Sequence, residues 1–379
     1  MPYNLLFLDH TPFVGGAQLS LLQHLRALDR SRFKVIAGIS RKAELLGLAD
    51  RYRAVGADIC CLHYPFLRRP SWQALKLLAE DWRVLGNILK ERKIDLVVTN
   101  SVRAALVGTI PARWAGAKVV WLVRDFTFPR WLFACLSPLA AQIVFNSWAV
   151  RRHYICSGAK ARVVYVGRDF YRLVARITQK QKEQWRARWR LKPNAVAIGY
   201  AGRLVKEKGV DDLIKALAIL RDKTPLPFAC LIAGTGRGQR GGNEQELRSL
   251  ITKLKLEQIV KMVGFQKDLV PLFSVLDILA LPSHSESFSS AVIDAMMAGV
   301  AVVATNQGGT PELVKDGKTG ILVPVKSPPS LAQALCRLIE NPHWRRQLAE
   351  AGRRQAMQQC RIGKTTRQLE EIYLKTLSV

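Results

Sequence analysis

Long apolar runs, metal-type clusters of cysteine and histidine, and acidic side chains are all scarce in this sequence. No stretch approaches the roughly 18 uninterrupted apolar residues of a spanning helix. The nearest, 131–145, is broken by Ser137, Pro138 and Gln142; it reads as a buried helix, with a segment touching a membrane surface as the alternative. The opening YNLLFLD reads as a strand running into Asp9 and His10, not as a secretory leader. Seven cysteines fall without any CxxC or Cys/His grouping: Cys60 and Cys61 are adjacent, and Cys230 lies inside an apolar run. That pattern argues against a zinc site or a disulfide framework, and reduced, mostly buried thiols of an intracellular protein are expected. Gly15-Gly16 and Gly234-x-Gly236 do not complete the dinucleotide fingerprint and no Walker lysine pattern is present, which disfavours hydride transfer and P-loop hydrolysis.

Acids are outnumbered 29 to 58 by Lys and Arg, for a net charge of +29. Residues 1–190 hold 32 basic and 12 acidic side chains, so +20 of that excess is N-terminal. Such a charge attracts an anionic partner; nucleic acid, anionic lipid and phosphorylated small substrates all qualify, and charge alone ranks none of them. The hydrophobic content of 49% excludes disorder, and 379 residues suit two domains.

Short apolar runs alternate with amphipathic helical stretches. Leu5–Leu8, Val35–Ile39, Ile94–Thr99, Val119–Val123 and Ile143–Asn146 read as buried strands, with helices over Ala17–Leu28 and Trp72–Arg92. The basic stretch 172–192, closed by Pro193 and Asn194, reads as a surface helix leading into a linker. A second cycle of strands follows at Ala195–Tyr200, Phe228–Ala233, Ile259–Val263, Ile278–Leu281, Ala301–Ala304 and Gly320–Val323, with helices over 330–376 closing the chain. The fold class is therefore α/β with two mostly parallel sheets. The expected domains are 1–188 and 189–379, the last helix packing back on the first domain.

Open α/β sheets bind ligands beyond the carboxyl ends of their strands, so the strand-end turns are the places to search. Arg203 and Lys208 flank a loop before a helix, in GRLVKEKG, where two cations and free N–H groups suit a diphosphate; a solvated surface pair is the plain alternative. Glu286 and Asp294 lie eight residues apart around a run of serines and suit the two ends of a polyhydroxylated ligand. A capping acid and an ordinary surface acid are their alternatives. His10, Asn100 and Ser101 follow strand ends, and a loop histidine is an equal reading of His10.

GGAQ at 15–18, GRLVKEKG at 202–209, AGTG at 233–236, VGF at 263–265, SESFSSAVIDAMMAGVAVVAT at 285–305 and GGTPELV at 308–314 occur in the order and spacing of a known family. Over most of its length the chain resembles the retaining glycosyltransferases of family 4, also called glycosyl transferases group 1. The resemblance implies the GT-B fold, two Rossmann-like domains facing across a cleft, with an N-terminal acceptor domain and a C-terminal nucleotide-sugar domain. It implies that Arg203 and Lys208 hold the donor diphosphate, that Glu286 contacts the transferred sugar, and that Asp294 stands where a Glu usually binds ribose hydroxyls. Phe288, Ser289 and Ser290 would present backbone donors, while Gly16 and Gly234 would let the chain approach the donor closely. Arg124-Asp125 stands where many relatives have His-Asp, replacing a titratable donor with a permanent cation that suits an anionic acceptor or the leaving phosphate. His10, Asn100, Ser101, Arg124 and Asp125 are the acceptor-side candidates.

The implied activity is transfer of a sugar from a UDP- or GDP-sugar to a glycan, lipid-linked or other envelope acceptor, without cofactor or metal. The implied location is cytoplasmic and peripheral on the inner face of an anionic membrane. A nucleotide-sugar epimerase or phosphorylase on the same scaffold, an inactive transferase, and a basic nucleic-acid-binding protein are the alternatives; the last lacks an RNA-binding aromatic motif and zinc-finger spacing. The nucleotide base, the acceptor and the oligomeric state are not legible in the sequence.

Overall fold

The computed structural model describes residues 2–12, 15–65, 71–156, 158–236 and 241–378. The chain divides into two compact units, Met1–Gly167 with Cys360–Val379, and Arg168–Gln359.

In the first unit, β1 (Tyr3–Asp9), β2 (Phe33–Ser40), β3 (Asp58–Leu62), β4 (Leu96–Thr99), β5 (Lys118–Val123), β6 (Gln142–Phe145) and β7 (Ala161–Val163) form a parallel sheet in the order β3-β2-β1-β4-β5-β6-β7. Alternate residues of β1 go to opposite faces, and both faces are buried. Leu6 and Leu8 join Leu85, Ala105, Trp121, Phe133 and Tyr154 beneath the helices Trp72–Glu91, Val102–Trp114, Arg130–Leu136 and Trp148–His153. Leu5 and Phe7 join Leu21, Leu25, Tyr52 and Tyr373 beneath the helices Gly16–Ala27, Leu48–Arg53 and Ile362–Leu377. Burial on both faces is why these strands are apolar runs with no polar alternation.

The final helix, Ile362–Leu377, belongs to this unit through polar as well as apolar contacts. Both ring nitrogens of His24 are engaged by it, Nδ1 with Thr366 Oγ1 and Nε2 with Tyr373 OH, each at 3.2 Å. The Asp29 N–H donates to Glu370 at 2.8 Å.

The second unit holds β8 (Val196–Ala201), β9 (Phe228–Ala233), β10 (Val260–Gly264), β11 (Ile278–Leu281), β12 (Ala301–Thr305) and β13 (Ile321–Val323), parallel in the order β10-β9-β8-β11-β12-β13. In each sheet the order reverses beside the first strand, between β1 and β4 and between β8 and β11. Ligands of open α/β sheets bind outside such switch points.

Four readings change. The junction between the units lies at 167/168 rather than 188/189. Residues 172–192 are not a linker: the helices Phe170–Val174 and Gln179–Arg188 pack on Val270–Val275 of the second unit, although the Gln179–Arg188 helix buries no residue and so looks solvent-facing in sequence. The run 131–145 is not one buried helix, since it breaks at Pro138 into the helix Arg130–Leu136, a 3-10 turn and β6. Strands β3 and β7 carry no clear strand signal in the sequence, because Asp58 and the adjacent cysteines, and the shortness of Ala161–Val163, give no clear apolar run.

Candidate functional site

At the switch point of the second sheet, the loop after β8 and the loop after β11 come together. Gly202 and Gly209 bound the first loop. Gly209 has φ of +62°, and a Cβ there would stand 2.2 Å from the Pro282 carbonyl, so only glycine lets the two loops approach. Within this approach, Lys208 Nζ donates to Glu286 Oε2 at 2.8 Å, with both side chains mostly buried. The Glu286 carbonyl accepts from Gly309 N at 3.0 Å, and Gly308, at φ +56°, leaves it no room for a Cβ. His284 is tied to the same cluster, its backbone N–H donating to the Glu207 carbonyl at 2.9 Å and its Nε2 lying 2.7 Å from Asp212 Oδ2.

Arg203 belongs to this loop but stays half-exposed, paired with Glu207 at 2.7 Å. Beyond Glu286 the helix Ser290–Ala298 begins. Ser289 is its N-cap, the hydroxyl accepting from Val292 N at 3.3 Å, so that hydroxyl is engaged and what the helix start offers is the backbone N–H groups of its first turn. Phe288 is buried and anchors the turn. Gly234, at φ +149°, packs directly on the Gly202 carbonyl, with its N–H donating to the Gly264 carbonyl at 2.9 Å. The cluster thus joins a half-exposed cation, a buried cation–carboxylate pair and a helix N-terminus, which together suit a ligand with phosphates at one end and hydroxyls at the other.

Asp294 departs from the reading given it. Its carboxylate is 1% exposed and gripped by the Arg168 guanidinium, Nε donating to Oδ1 at 2.6 Å and Nη2 to Oδ2. Burial raises its pKa above the ordinary carboxylate value and the guanidinium opposes that shift. With both oxygens engaged by Arg168, the side chain is an internal brace rather than a free acceptor for ribose hydroxyls. Arg168 had no signal in the sequence: it stands 126 positions away, beside no motif.

The candidates of the first unit fall at the C-terminal edge of its sheet. Ser101 caps the helix Val102–Trp114, accepting from Ala104 N at 3.1 Å, and its Oγ lies 2.6 Å from His10 Nδ1. Burial first, then the Arg103 charge, push the His10 pKa down to about 4, so the ring is neutral near pH 7. Asn100 is buried, with neither side-chain atom hydrogen-bonded. Gly16 opens the helix Gly16–Ala27 at this edge and is exposed. Asp125 is exposed, and its Oδ1 closes a turn by accepting from Thr127 N and Oγ1 at 3.0 and 2.6 Å.

Arg124 turns inward: Nη1 donates to Ser20 at 3.0 Å, Nε is buried without a partner, and burial lowers its pKa. It lines a cavity of about 30 Å³ with Ser20, His24, Asn146 and Thr365. That volume suits a water or two and not a sugar ring, and Arg124, which lines it, is partly buried.

Residues 181–355 match the family model described as glycosyl transferases group 1. A D-inositol 3-phosphate glycosyltransferase of Corynebacterium jeikeium is 33% identical over 192 residues, 49% of this chain and 45% of that protein. One from Corynebacterium urealyticum is 28% identical over 295 residues, 69% of each. The chain thus spans about half the length of the first of these relatives. Among solved structures, Anabaena HepE in complex with UDP and glucose superposes with a TM-score of 0.85 at 24% identity, covering 98% of this chain and 100% of that one. A glycosyltransferase from Rickettsia africae gives 0.87 at 20% identity, covering 99% of both. Residues 181–355 thus match the glycosyl transferases group 1 family, and the chain shares the two-domain GT-B fold of these solved structures.

Proposed function

We propose that this chain is a retaining glycosyltransferase that moves a sugar from a nucleoside-diphosphate donor to a hydroxyl of a glycan or lipid-linked acceptor. The observation that carries it is the Lys208–Glu286 pair, held at the β8/β11 switch point beside the start of the Ser290–Ala298 helix. Arg203, Lys208 and the helix N–H groups supply positive potential for a diphosphate, which gains charge as the glycosidic bond to it breaks. Glu286, fixed by Lys208 on one oxygen, keeps the other for sugar hydroxyls. As the C–O bond to the diphosphate breaks, the acceptor oxygen forms the new bond on the same face and its proton passes to a phosphate oxygen. The donor phosphate is thus both leaving group and base.

The complex of Anabaena HepE with UDP and glucose favours a UDP-sugar as the donor here. The net charge of +29 supports peripheral association with an anionic membrane.

Thermal-shift screening against UDP-, GDP- and ADP-sugars tests the donor reading. One nucleotide class is expected to raise the melting temperature, and Lys208→Ala or Glu286→Gln is expected to cut that shift by more than half. A melting temperature unmoved by every nucleotide sinks the reading.

A further inference from the structure

We infer that His284 is a positioning residue of the donor site. Through one backbone and one side-chain hydrogen bond it holds the loop that carries Glu286 against the Lys208 peptide and the helix that follows it, and the affinity for a nucleoside diphosphate depends on that hold. The inference deepens the donor reading above and rests on it.

Lys208 and Glu286 stand 78 positions apart, so their contact at 2.8 Å persists only while the loop after β8 and the loop after β11 keep their approach. β11 lies between β12 and β8 in the sheet. On the β12 side its loop is anchored by Thr305, whose Oγ1 donates to the Ser283 carbonyl at 2.5 Å. On the β8 side it is anchored by His284, two residues before Glu286. The His284 N–H donates to the Glu207 carbonyl at 2.9 Å, and that carbonyl belongs to the peptide bond leading into Lys208. The His284 ring reaches the first turn of the helix Val210–Lys223, where Nε2 lies 2.7 Å from Asp212 Oδ2. A carboxylate only accepts, so Nε2 carries a proton and donates it to this bond. Gly209, the N-cap of that helix, has no side chain in the way; a Cβ there would stand 2.9 Å from His284 Nε2. The side chains of Asp212 and His284 are 10% and 23% exposed, against 53% for each partner of the Arg203–Glu207 pair, so water screens the His284 bond less.

A bound diphosphate shifts the balance among these links. When Lys208 Nζ holds phosphate oxygens, it shares its protons between the ligand and Glu286, so the direct link between the loops weakens as the site fills. The two His284 bonds involve no group offered to the ligand and keep their strength. Without them, binding must also pay for ordering both loops, and affinity falls. Asp212 has a second cation within reach, Lys215 Nζ at 3.8 Å from Oδ1, but Lys215 is half-exposed and bonded to Asp211 at 2.8 Å. It serves as a control for the charge around Asp212 without the link to the loop.

Calorimetric titration of the full chain with UDP, GDP and ADP, well below the melting temperature of every variant, tests the inference. For the nucleotide that wild type binds, His284→Phe keeps a ring over Gly209 but loses the donor, and is expected to weaken affinity by about fivefold or more. Asp212→Ala is expected to do the same. His284→Gln, whose amide can still donate to Asp212, should stay within about twofold of wild type, as should Lys215→Ala. Because both residues act through one bond, the His284→Phe/Asp212→Ala variant should lose no more than the more impaired single variant. A role confined to stability would lower the melting temperature and leave the affinity of the folded protein unchanged, and that result overturns the inference. Losses that multiply in the double variant, a defect in His284→Gln equal to that of His284→Phe, or an equal loss from Lys215→Ala also overturn it. The pair His284→Phe and His284→Gln decides the matter even where Asp212→Ala does not fold. If wild type binds none of the three nucleotides, the donor reading falls and the inference with it; if wild type binds and the variants match it, the inference falls alone.

Discussion

Asp294 shows how a residue's partner can change its role. A carboxylate one methylene shorter than glutamate, on the inward side of the Ser290–Ala298 helix, is held by Arg168 and buried. Breaking one side of such a pair leaves a buried charge uncompensated, at a cost of about 3–5 kcal/mol. Arg168→Met and Asp294→Ala are therefore expected to destabilise the second unit by amounts in that range, measured by urea unfolding. Because Asp294 is engaged, the ribose hydroxyls gain nothing from it, and a 2′,3′-dideoxynucleotide should bind within about threefold of the ribonucleotide by calorimetry. A preference for the ribonucleotide above tenfold that disappears in Asp294→Asn would restore Asp294 as a ribose ligand. Lys208 and Glu286 are the contrasting case: the fold brings them into contact at 2.8 Å, and both side chains stay partly accessible.

Among the elements, the glycine turns do most to shape the site. Gly308 adopts φ +56°, and a Cβ there would overlap the Glu286 carbonyl. The positive φ alone costs a side chain about 1–2 kcal/mol, and the overlap adds displacement of the loop that carries Glu286. Gly308→Ala is expected to abolish nucleotide-induced stabilisation while lowering the melting temperature by only a few degrees; full retention of the nucleotide shift would show that the close approach of Gly308 to the Glu286 carbonyl is not needed. The final helix makes a related point about packing. Its apolar positions at Leu369, Ile372 and Tyr373 have helical spacing, and in the fold they cover the sheet of the first unit, with Tyr373 against Phe7 and Phe33.

For the whole molecule, stability toward acid follows from histidines buried in the neutral form. Burial first, and then the charges of Arg124 and Arg30, push the His24 pKa from 6.5 down to about 3; His10 is pushed to about 4. A folded pKa below the unfolded one means that the unfolded chain takes up the proton first. Stability is therefore full above pH 6.5 and falls as the pH drops toward the folded values. The loss is roughly 1.4 kcal/mol for each histidine one unit below 6.5. Asp9, whose carboxyl burial raises, acts in the opposite sense, so comparison with a variant is needed to isolate His24. Urea unfolding between pH 5 and 7.5 should show a slope that flattens in His24→Gln, and an unchanged slope would assign the acid sensitivity elsewhere.

The sequence by itself determined the two α/β cycles, because strands buried on both faces must be apolar runs and the helices between them must be amphipathic. It also marked the strand-end loops that carry Arg203, Lys208 and Glu286, although the Lys208–Glu286 contact, across 78 positions, came from the fold. Tertiary structure decided what depends on distant partners: that 168–188 joins the second unit, that Arg124 turns inward against Ser20, and that Asp294 meets an arginine 126 positions away. Local periodicity specifies elements and their buried faces. It carries no information about which buried charge will find which counter-charge, because that pairing forms only when the whole sheet and its covering helices close.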